Sequence, residues 1–109
     1  MRTNDGSGET SLEDLESKLA AESLVTDFAA LRPHVVRDAL FVVSPSLRLV
    51  DVAVAIAKNR SAVVALWVGQ GLLRKPTPEE LAAWTAQPAE PRFRFVIVQP
   101  YVLAELLLD

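Results

Sequence analysis

The sequence contains no cysteine and only one histidine, His34, among its 109 residues. The absence of cysteine excludes disulfide bonds, thiolate metal sites and cysteine nucleophiles, and it is typical of the reducing cytoplasm, where we expect the protein to reside. A single histidine excludes a histidine-based metal cluster, and no base is evident that could activate a serine nucleophile. We therefore predict no catalytic, metal-binding or cofactor-binding residue and no enzymatic activity.

The sequence also lacks a long hydrophobic run. Its longest uncharged stretch, residues 61–73, is shorter than the roughly 20 residues that a membrane-spanning helix needs. Residues 1–10 are polar and lack the apolar centre of a signal peptide. The length suits one domain. We expect a flexible N-terminal lead-in over residues 1–10 and a single globular domain over residues 11–109.

Charge is unevenly distributed around a net value of −3. Residues 1–30 contain seven acidic and two basic side chains, residues 31–78 contain seven basic and two acidic ones, and residues 79–109 contain five acidic and two basic ones. A basic centre between acidic ends is compatible with an anionic partner. Intramolecular pairing between the N-terminal helix and the centre is the simpler interpretation.

A largely buried helix is predicted from Leu47 to Lys58. Apolar residues recur there at helical spacing, and Arg48, Asp51 and Lys58 form one narrow polar stripe between them. Asp51 is a conceivable general base, because burial raises the pKa of a carboxyl group. An ion pair with Arg48 or Lys58 at helical spacing explains it more simply, so we interpret Asp51 as structural.

A second helix, predicted over residues 62–70, contains no charged residue. Asn59 tolerates the left-handed conformation that ends the preceding helix, and Ser61 is predicted to cap this one. Burying its five large apolar side chains would contribute roughly 1.5–3 kcal/mol each before entropic costs. That sum rivals the roughly 5–15 kcal/mol stability of a whole domain. We therefore expect the helix to be covered, either by the protein's own core or by a partner.

Helices and strands alternate in the rest of the chain. Ser11 and Thr26 are each predicted to begin a helix, with a kink or restart at Pro33 in the second. Thr77, followed by proline and two glutamates, predicts a helix with a capping box. Apolar runs predict strands at residues 40–43, 72–75 and 92–98, and we favour an extended conformation for residues 101–108.

The order of elements predicts an α+β fold. From Thr26 onward, the order is helix, strand, a helix-turn-helix pair and two further strands, which is winged-helix-like. The helix that begins near Thr77 would stand where a winged helix usually has a short loop. We predict a single winged-helix-like domain with about five helices and a small three-stranded antiparallel sheet.

Four segments carry a resemblance to a known family: LRLVDVAVAIAKN, ALWVGQGLL, TPEELAAW and FVIVQPYVL. They resemble the domain of unknown function 2288 family, whose pattern has a Leu-Asp-Leu-Val-Glu-Val-Ala helix, a Trp–Gly segment, a second tryptophan and a closing Val-x-Pro-Trp-Val-Leu. The resemblance spans about Leu12 to Leu106. Arg48 stands where an acidic residue is usual and Tyr101 where tryptophan is usual, so any chemical role of that acidic position is lost. The resemblance implies a small bacterial protein without an established activity.

The sequence favours a non-enzymatic protein-interaction module, either a homodimer or a complex with another protein. Two features support this hypothesis: the uncharged helix, and the apolar segment over residues 95–108, which offers a potential pairing edge. Trp67, Trp84 and Tyr101 are candidate interface or core anchors.

Two alternatives remain open at this point. Arg60, Arg74 and Lys75 are candidate nucleic-acid contacts of a winged-helix-type protein, but the helix beside them offers only Ser61 and Gln70 to read base edges, which argues against sequence-specific binding. A weaker alternative is a small-ligand pocket between Trp67 and Trp84.

Overall fold

The computed structural model describes residues 12–107. The predicted lead-in and the predicted cap at Ser11 lie outside this range. No helix within it is both long enough and apolar enough to cross a membrane. The described chain forms five helices, α1 (Leu12–Glu22), α2 (Phe28–Val36), α3 (Leu49–Ala57), α4 (Ser61–Gly69) and α5 (Pro78–Ala86), and five strands, β1 (Leu24–Asp27), β2 (Leu40–Val43), β3 (Leu73–Arg74), β4 (Arg92–Val98) and β5 (Tyr101–Leu107).

The five strands form one mixed sheet in the order β1-β4-β5-β2-β3. Its centre is the β4–β5 hairpin, in which Val98 faces Tyr101 and the intervening Gln99–Pro100 peptide bond is cis. Strand β2 runs parallel to β5, whereas the other neighbouring strands are antiparallel. The extended conformation favoured for the C-terminal segment is confirmed, since it forms β5.

The prediction of a three-stranded antiparallel sheet is wrong, and the winged-helix-like topology is not confirmed. Residues 24–27, where we predicted the start of a helix, form a fifth strand against β4. Thr26 lies within that strand, and Asp27 caps α2 instead by accepting a hydrogen bond from the backbone N–H of Ala30. A strand of four residues between two helices has too short a pattern to be recognised locally.

Helices cover both faces of the sheet. On one face, α1 and α3 pack their apolar sides onto the strands, with Leu19, Val52, Val96 and Leu103 in the same buried cluster. Successive residues of β5 point to opposite faces, so Val102 belongs to the cluster on the other side.

That second cluster is formed by α2, α5 and the strands. The rings of Phe28, Trp84 and Phe93 are in contact there, with centroids 5.0–6.5 Å apart.

The two helices on this face test two sequence predictions. Helix α2 runs through Pro33 without a restart, contrary to one of the two outcomes predicted there. The capping box at Thr77 is confirmed: its side chain accepts from the backbone of Glu80, whose side chain accepts from the backbone of Thr77.

Candidate functional site

Helix α4 is the least covered apolar element of the described chain. None of its nine residues is buried, and the side chains of Leu66 and Val68 are 56% and 50% exposed. The protein's own core therefore does not cover this helix, contrary to one of the two expectations from its sequence. An apolar helix that its own domain leaves in water is typical of an interaction site.

One side of α4 holds the helix on the domain. Val64 and Trp67 pack against the cluster that α1 and α3 form with the sheet. The helix ends at Gly69, and Gly71, just beyond its C-cap Gln70, adopts the left-handed conformation (φ 75°). The N–H of Gly71 donates to the carbonyl of Val68, and the N–H of Leu72 donates to that of Trp67, which is the hydrogen-bond pattern of a Schellman motif. Since α4 is apolar around its whole circumference and only one side can face the core, the opposite side is left in water.

The turn before α4 follows the sequence prediction in one respect and departs from it in another. Asn59 has the left-handed conformation (φ 58°) predicted for it. Ser61 is not the cap: it is the first residue of the helix, and the cap position belongs to Arg60, whose side chain makes no capping hydrogen bond. The N-terminal end of α4 is therefore positive, from both the helix dipole and the Arg60 guanidinium.

We call the exposed apolar residues of this helix the α4 surface: Ala62, Ala65, Leu66, Val68 and Gly69. Beside it lies the α4 groove, an open depression of about 410 Å³ between α4, α3 and the β4–β5 turn. Its lining is apolar except at the end near the turns, where Asn59, Arg60, Ser61 and Gln99 contribute polar groups.

Tyr101 and Phe41 form the wall of the α4 groove that faces the sheet. Their rings meet edge to face with centroids 5.6 Å apart. Tyr101 is 40% exposed, so this candidate anchor lies at a surface rather than in the core. Lys75 Nζ lies 5.2 Å from the centroid of the Phe41 ring, within the range of a cation–π contact.

The two tryptophans do not lie together. Trp67 packs against the cluster under α3, whereas Trp84 is 7% exposed and belongs to the cluster on the opposite face of the sheet. The sheet separates them, so a ligand pocket between Trp67 and Trp84 does not exist. Trp84 is a core anchor, and Trp67 is the anchor that attaches α4 to the domain.

Two of the three candidate nucleic-acid contacts are engaged within the protein. The Arg74 guanidinium donates two hydrogen bonds to the Glu80 carboxylate, at 2.7 and 2.8 Å. These hydrogen bonds raise the pKa of Arg74 and lower the pKa of Glu80. The Lys75 ammonium lies 2.7 Å from Asp38 Oδ2 and also donates to the Asp38 carbonyl.

Arg60 differs from these two residues. Its side chain makes no hydrogen bond or ion pair with any residue between 12 and 107. Of the three candidate nucleic-acid contacts, the Arg60 guanidinium beside α4 is therefore unengaged, whereas the Arg74 guanidinium and the Lys75 ammonium are already paired with carboxylates. The basic centre of the sequence is thus partly neutralised by intramolecular pairing, but Arg74 and Lys75 pair with Glu80 of α5 and with Asp38 of the centre itself, not with the N-terminal helix as we expected.

Other polar residues have structural partners. Arg48 lies 3.6 Å from Asp51, which bears out the interpretation of Asp51 as its partner. Arg37 Nη2 lies 2.7 Å from His34 Nδ1, and burial together with the charge of Arg37 lowers the pKa of His34. Within residues 12–107, no three acidic or histidine side chains are grouped closely enough to hold a metal ion.

The sequence signal for this site was the absence of a polar side on α4. What the sequence did not reveal was the α4 groove, because Phe41 and Tyr101 belong to strands that are brought beside α4 only by the parallel pairing of β2 with β5. The apolar run around Phe41 predicts a buried strand residue, whereas Phe41 lines the α4 groove.

Comparison with known proteins agrees with the resemblance noted in the sequence. The family model of a protein of unknown function, DUF2288, matches residues 14–105. Among solved structures, the chain is similar to the NMR solution structure of PA1075 from Pseudomonas aeruginosa, with 29% identity, a TM-score of 0.73, and coverage of 97% of this chain and 95% of that one. No curated protein matches the chain. The chain therefore belongs to the DUF2288 family.

Proposed function

We propose that this protein is a protein-interaction module that pairs with a second copy of itself through the α4 surface. The observation that carries the proposal is the exposure of an uncharged helix. Leu66 and Val68 keep half or more of their surface in water, and α4 offers no charged side chain that could solvate this face. Covering such side chains contributes about 25 cal/mol per Å² of apolar area removed from water.

The charged residues around α4 argue against a polyanionic partner such as nucleic acid. Phosphate binding depends on cations that are free to replace counterions. Arg74 and Lys75 would first have to give up Glu80 and Asp38, so this surface presents Arg60 alone of the three. An apolar partner surface suits α4 better than a polyanion.

The prediction that residues 95–108 offer a pairing edge is wrong, because β4 and β5 each have a strand on both sides. The edge strand β1 is a weaker candidate for pairing than α4. Strand β1 has exposed side chains at Leu24 (59%) and Val25 (47%). It is only four residues long, and native sheets commonly protect themselves from edge-to-edge pairing by such short edge strands. Helix α4 combines a longer apolar face with an adjacent groove, which supports it as the interface.

Light scattering after size-exclusion chromatography tests the proposal. We expect the unmodified protein to change from monomer to dimer over micromolar concentrations, since nine helical residues and one groove give an interface near the small end of the stable range. Leu66→Glu places a charge in the α4 surface and should leave a monomer at every concentration.

The matched control is Val36→Glu. Val36 is 82% exposed, lies at the end of α2 and is outside the α4 surface, so this variant should form dimers as the unmodified protein does. A strictly monomeric unmodified protein contradicts the proposal. Equal dimerisation of all three proteins would reject α4 as the interface.

A further inference from the structure

From the charges around α4 we infer how the two copies meet. The inference rests on the proposed function: two α4 helices pack antiparallel across a two-fold axis, and Arg60 of each copy lies beside the C-terminal end of the partner's α4. The occupant of the α4 surface is thus a second copy of the same surface, in one defined direction.

The first argument is the distribution of charge along α4. The helix itself contains no charged residue, so the charges that decide its orientation lie at its ends. Arg60 precedes the first turn, and its guanidinium has no partner within the described residues. The helix dipole adds a partial positive charge at that end and a partial negative charge at the other.

Parallel packing would place two guanidinium groups and two positive helix ends together. Antiparallel packing places each Arg60 beside the negative end of the opposite helix, where a cation is stabilising. Each α4 helix therefore has a cation at one end and a partial negative charge at the other. Two antiparallel copies bring these opposite charges together at both ends of the helix pair. An isologous interface requires such self-complementarity, because each contact occurs twice.

The second argument is the shape of the α4 surface. Ala62, Ala65 and Gly69 recur at intervals of three and four residues, so they lie along one side of the helix. A side-chain carbon placed on Gly69 would meet nothing within 4 Å. The larger side chains of Leu66 and Val68 are exposed next to this line of small residues. Small residues permit interaxial distances near the short end of the usual 8–10 Å, so two such helices can approach closely.

The experiment uses engineered cysteines, since the chain has none of its own. We mix the Ala62→Cys and Gly69→Cys variants, oxidise them at a concentration where the protein is a dimer, and map the disulfides by mass spectrometry. Positions 62 and 69 are about 10 Å apart along one helix. A disulfide requires Cα atoms within about 7 Å, so the bridges formed report helix direction.

Antiparallel packing predicts a predominant 62–69 disulfide between the two variants. It also predicts little 62–62 or 69–69 product when either variant is oxidised alone. Ala65→Cys, which lies at the middle of the helix, should form a 65–65 disulfide in either direction. This third variant reports the interface independently of its orientation.

The outcomes separate the two proposals. Formation of 65–65, 62–62 and 69–69 bridges without the 62–69 bridge overturns the antiparallel arrangement and leaves the α4 dimer in place. A dimer by light scattering that forms none of these bridges places the interface elsewhere and overturns both. A monomer also overturns both.

Charge reversal tests the role of Arg60 separately. Arg60→Glu would set an anion against the negative end of the partner helix, so the dimer dissociation constant should rise at least several-fold. Arg32→Glu, an equally drastic change at an exposed position of α2, is the control and should change it less than twofold. Equal effects of the two variants would contradict the contact between Arg60 and the partner's α4.

Discussion

Helices α3 and α4 follow one another, are each nine residues long and are both strongly apolar, yet their surroundings are opposite. Helix α3 has five buried residues, and it packs against both α1 and the sheet. Helix α4 has none, and it contacts the domain through only one of its sides. Apolar composition therefore shows that a helix needs cover but not where the cover comes from.

The two helices also differ in the side that faces water. In α3, the exposed side carries Asp51 and is followed by Lys58, whereas the exposed side of α4 carries no charge. A helix that finishes in water normally has a polar face. The absence of one on α4 is the feature that the proposed dimer explains.

The largest expected difference comes from placing the same charge in each helix. Val52 is fully buried, so Val52→Asp would bury an unpaired carboxylate and should lower the free energy of unfolding by more than about 4 kcal/mol. Val68→Asp places the carboxylate in water and should leave a folded monomer that has lost less than about 1 kcal/mol. Circular dichroism and urea denaturation measure both. Similar losses would show that α4 is part of the core.

Truncation of leucine in each helix gives a smaller contrast. Leu49 is 5% exposed, and Leu49→Ala should lower the free energy of unfolding by about 2–4 kcal/mol through lost burial and a cavity. Leu66→Ala should change it by less than about 0.5 kcal/mol when measured at concentrations where the dimer has dissociated. A loss above 2 kcal/mol for Leu66→Ala in the monomer would contradict the exposed position of α4.

The N-terminal ends of α4 and α5 differ in how they are capped: α5 has a capping box, whereas α4 has no side-chain capping hydrogen bond. Glu80→Gln removes the charge that pairs with Arg74, and at pH 7 it should cost about 1 kcal/mol, the upper value for a partly exposed pair. Glu79→Gln, at an exposed neighbouring position, is the control and should cost less than about 0.5 kcal/mol.

This effect should depend on pH. The pKa of Glu80 is lowered from its usual value of 4.5, first by the hydrogen bonds from Arg74. Its stabilising contribution is therefore complete above pH 4.5 and is lost as the pH falls through the lower folded-state value. The difference between unmodified protein and Glu80→Gln in urea denaturation should shrink below pH 4.5. A difference that grows on acidification would contradict this account.

The smallest predicted effect has opposite signs in monomer and dimer. Gly69→Ala adds a side chain where nothing lies within 4 Å, so the monomer should gain about 0.5–1 kcal/mol from better helix propensity. If a partner helix packs on Gly69, the same methyl group should weaken the dimer. Thermal unfolding of dilute protein and light scattering of concentrated protein measure the two effects. A dimer that becomes tighter would place Gly69 outside the interface.

Several predictions that rest on short-range chemistry agreed with the structure, although the helix starts predicted at Thr26 and Ser61 each differ from the observed cap by one residue. The left-handed Asn59, the capping box at Thr77 and the strand starting at Arg92 each depend on a few adjacent residues. The fifth strand and the parallel pairing of β2 with β5 depend on residues far apart in the chain. No local pattern encodes these, and the sheet was therefore predicted with too few strands and the wrong topology.

The candidate site divides in the same way. The uncharged character of α4 is visible in the sequence, and it predicted that the helix requires cover. The pairing of Arg74 with Glu80 and of Lys75 with Asp38 is visible only in the structure. Those ion pairs weigh against a polyanion as the partner, and the sequence alone did not reveal them.

Hydrogen exchange measured at several protein concentrations tests the central claim most directly, since it reports burial of α3 and α4 in one experiment. The account predicts that amide protection in α3 is high at every concentration, whereas protection in α4 rises as the protein is concentrated through the micromolar range. Protection in α4 that stays constant while protection in β1 rises would contradict it, because the copies would then be meeting at the sheet edge.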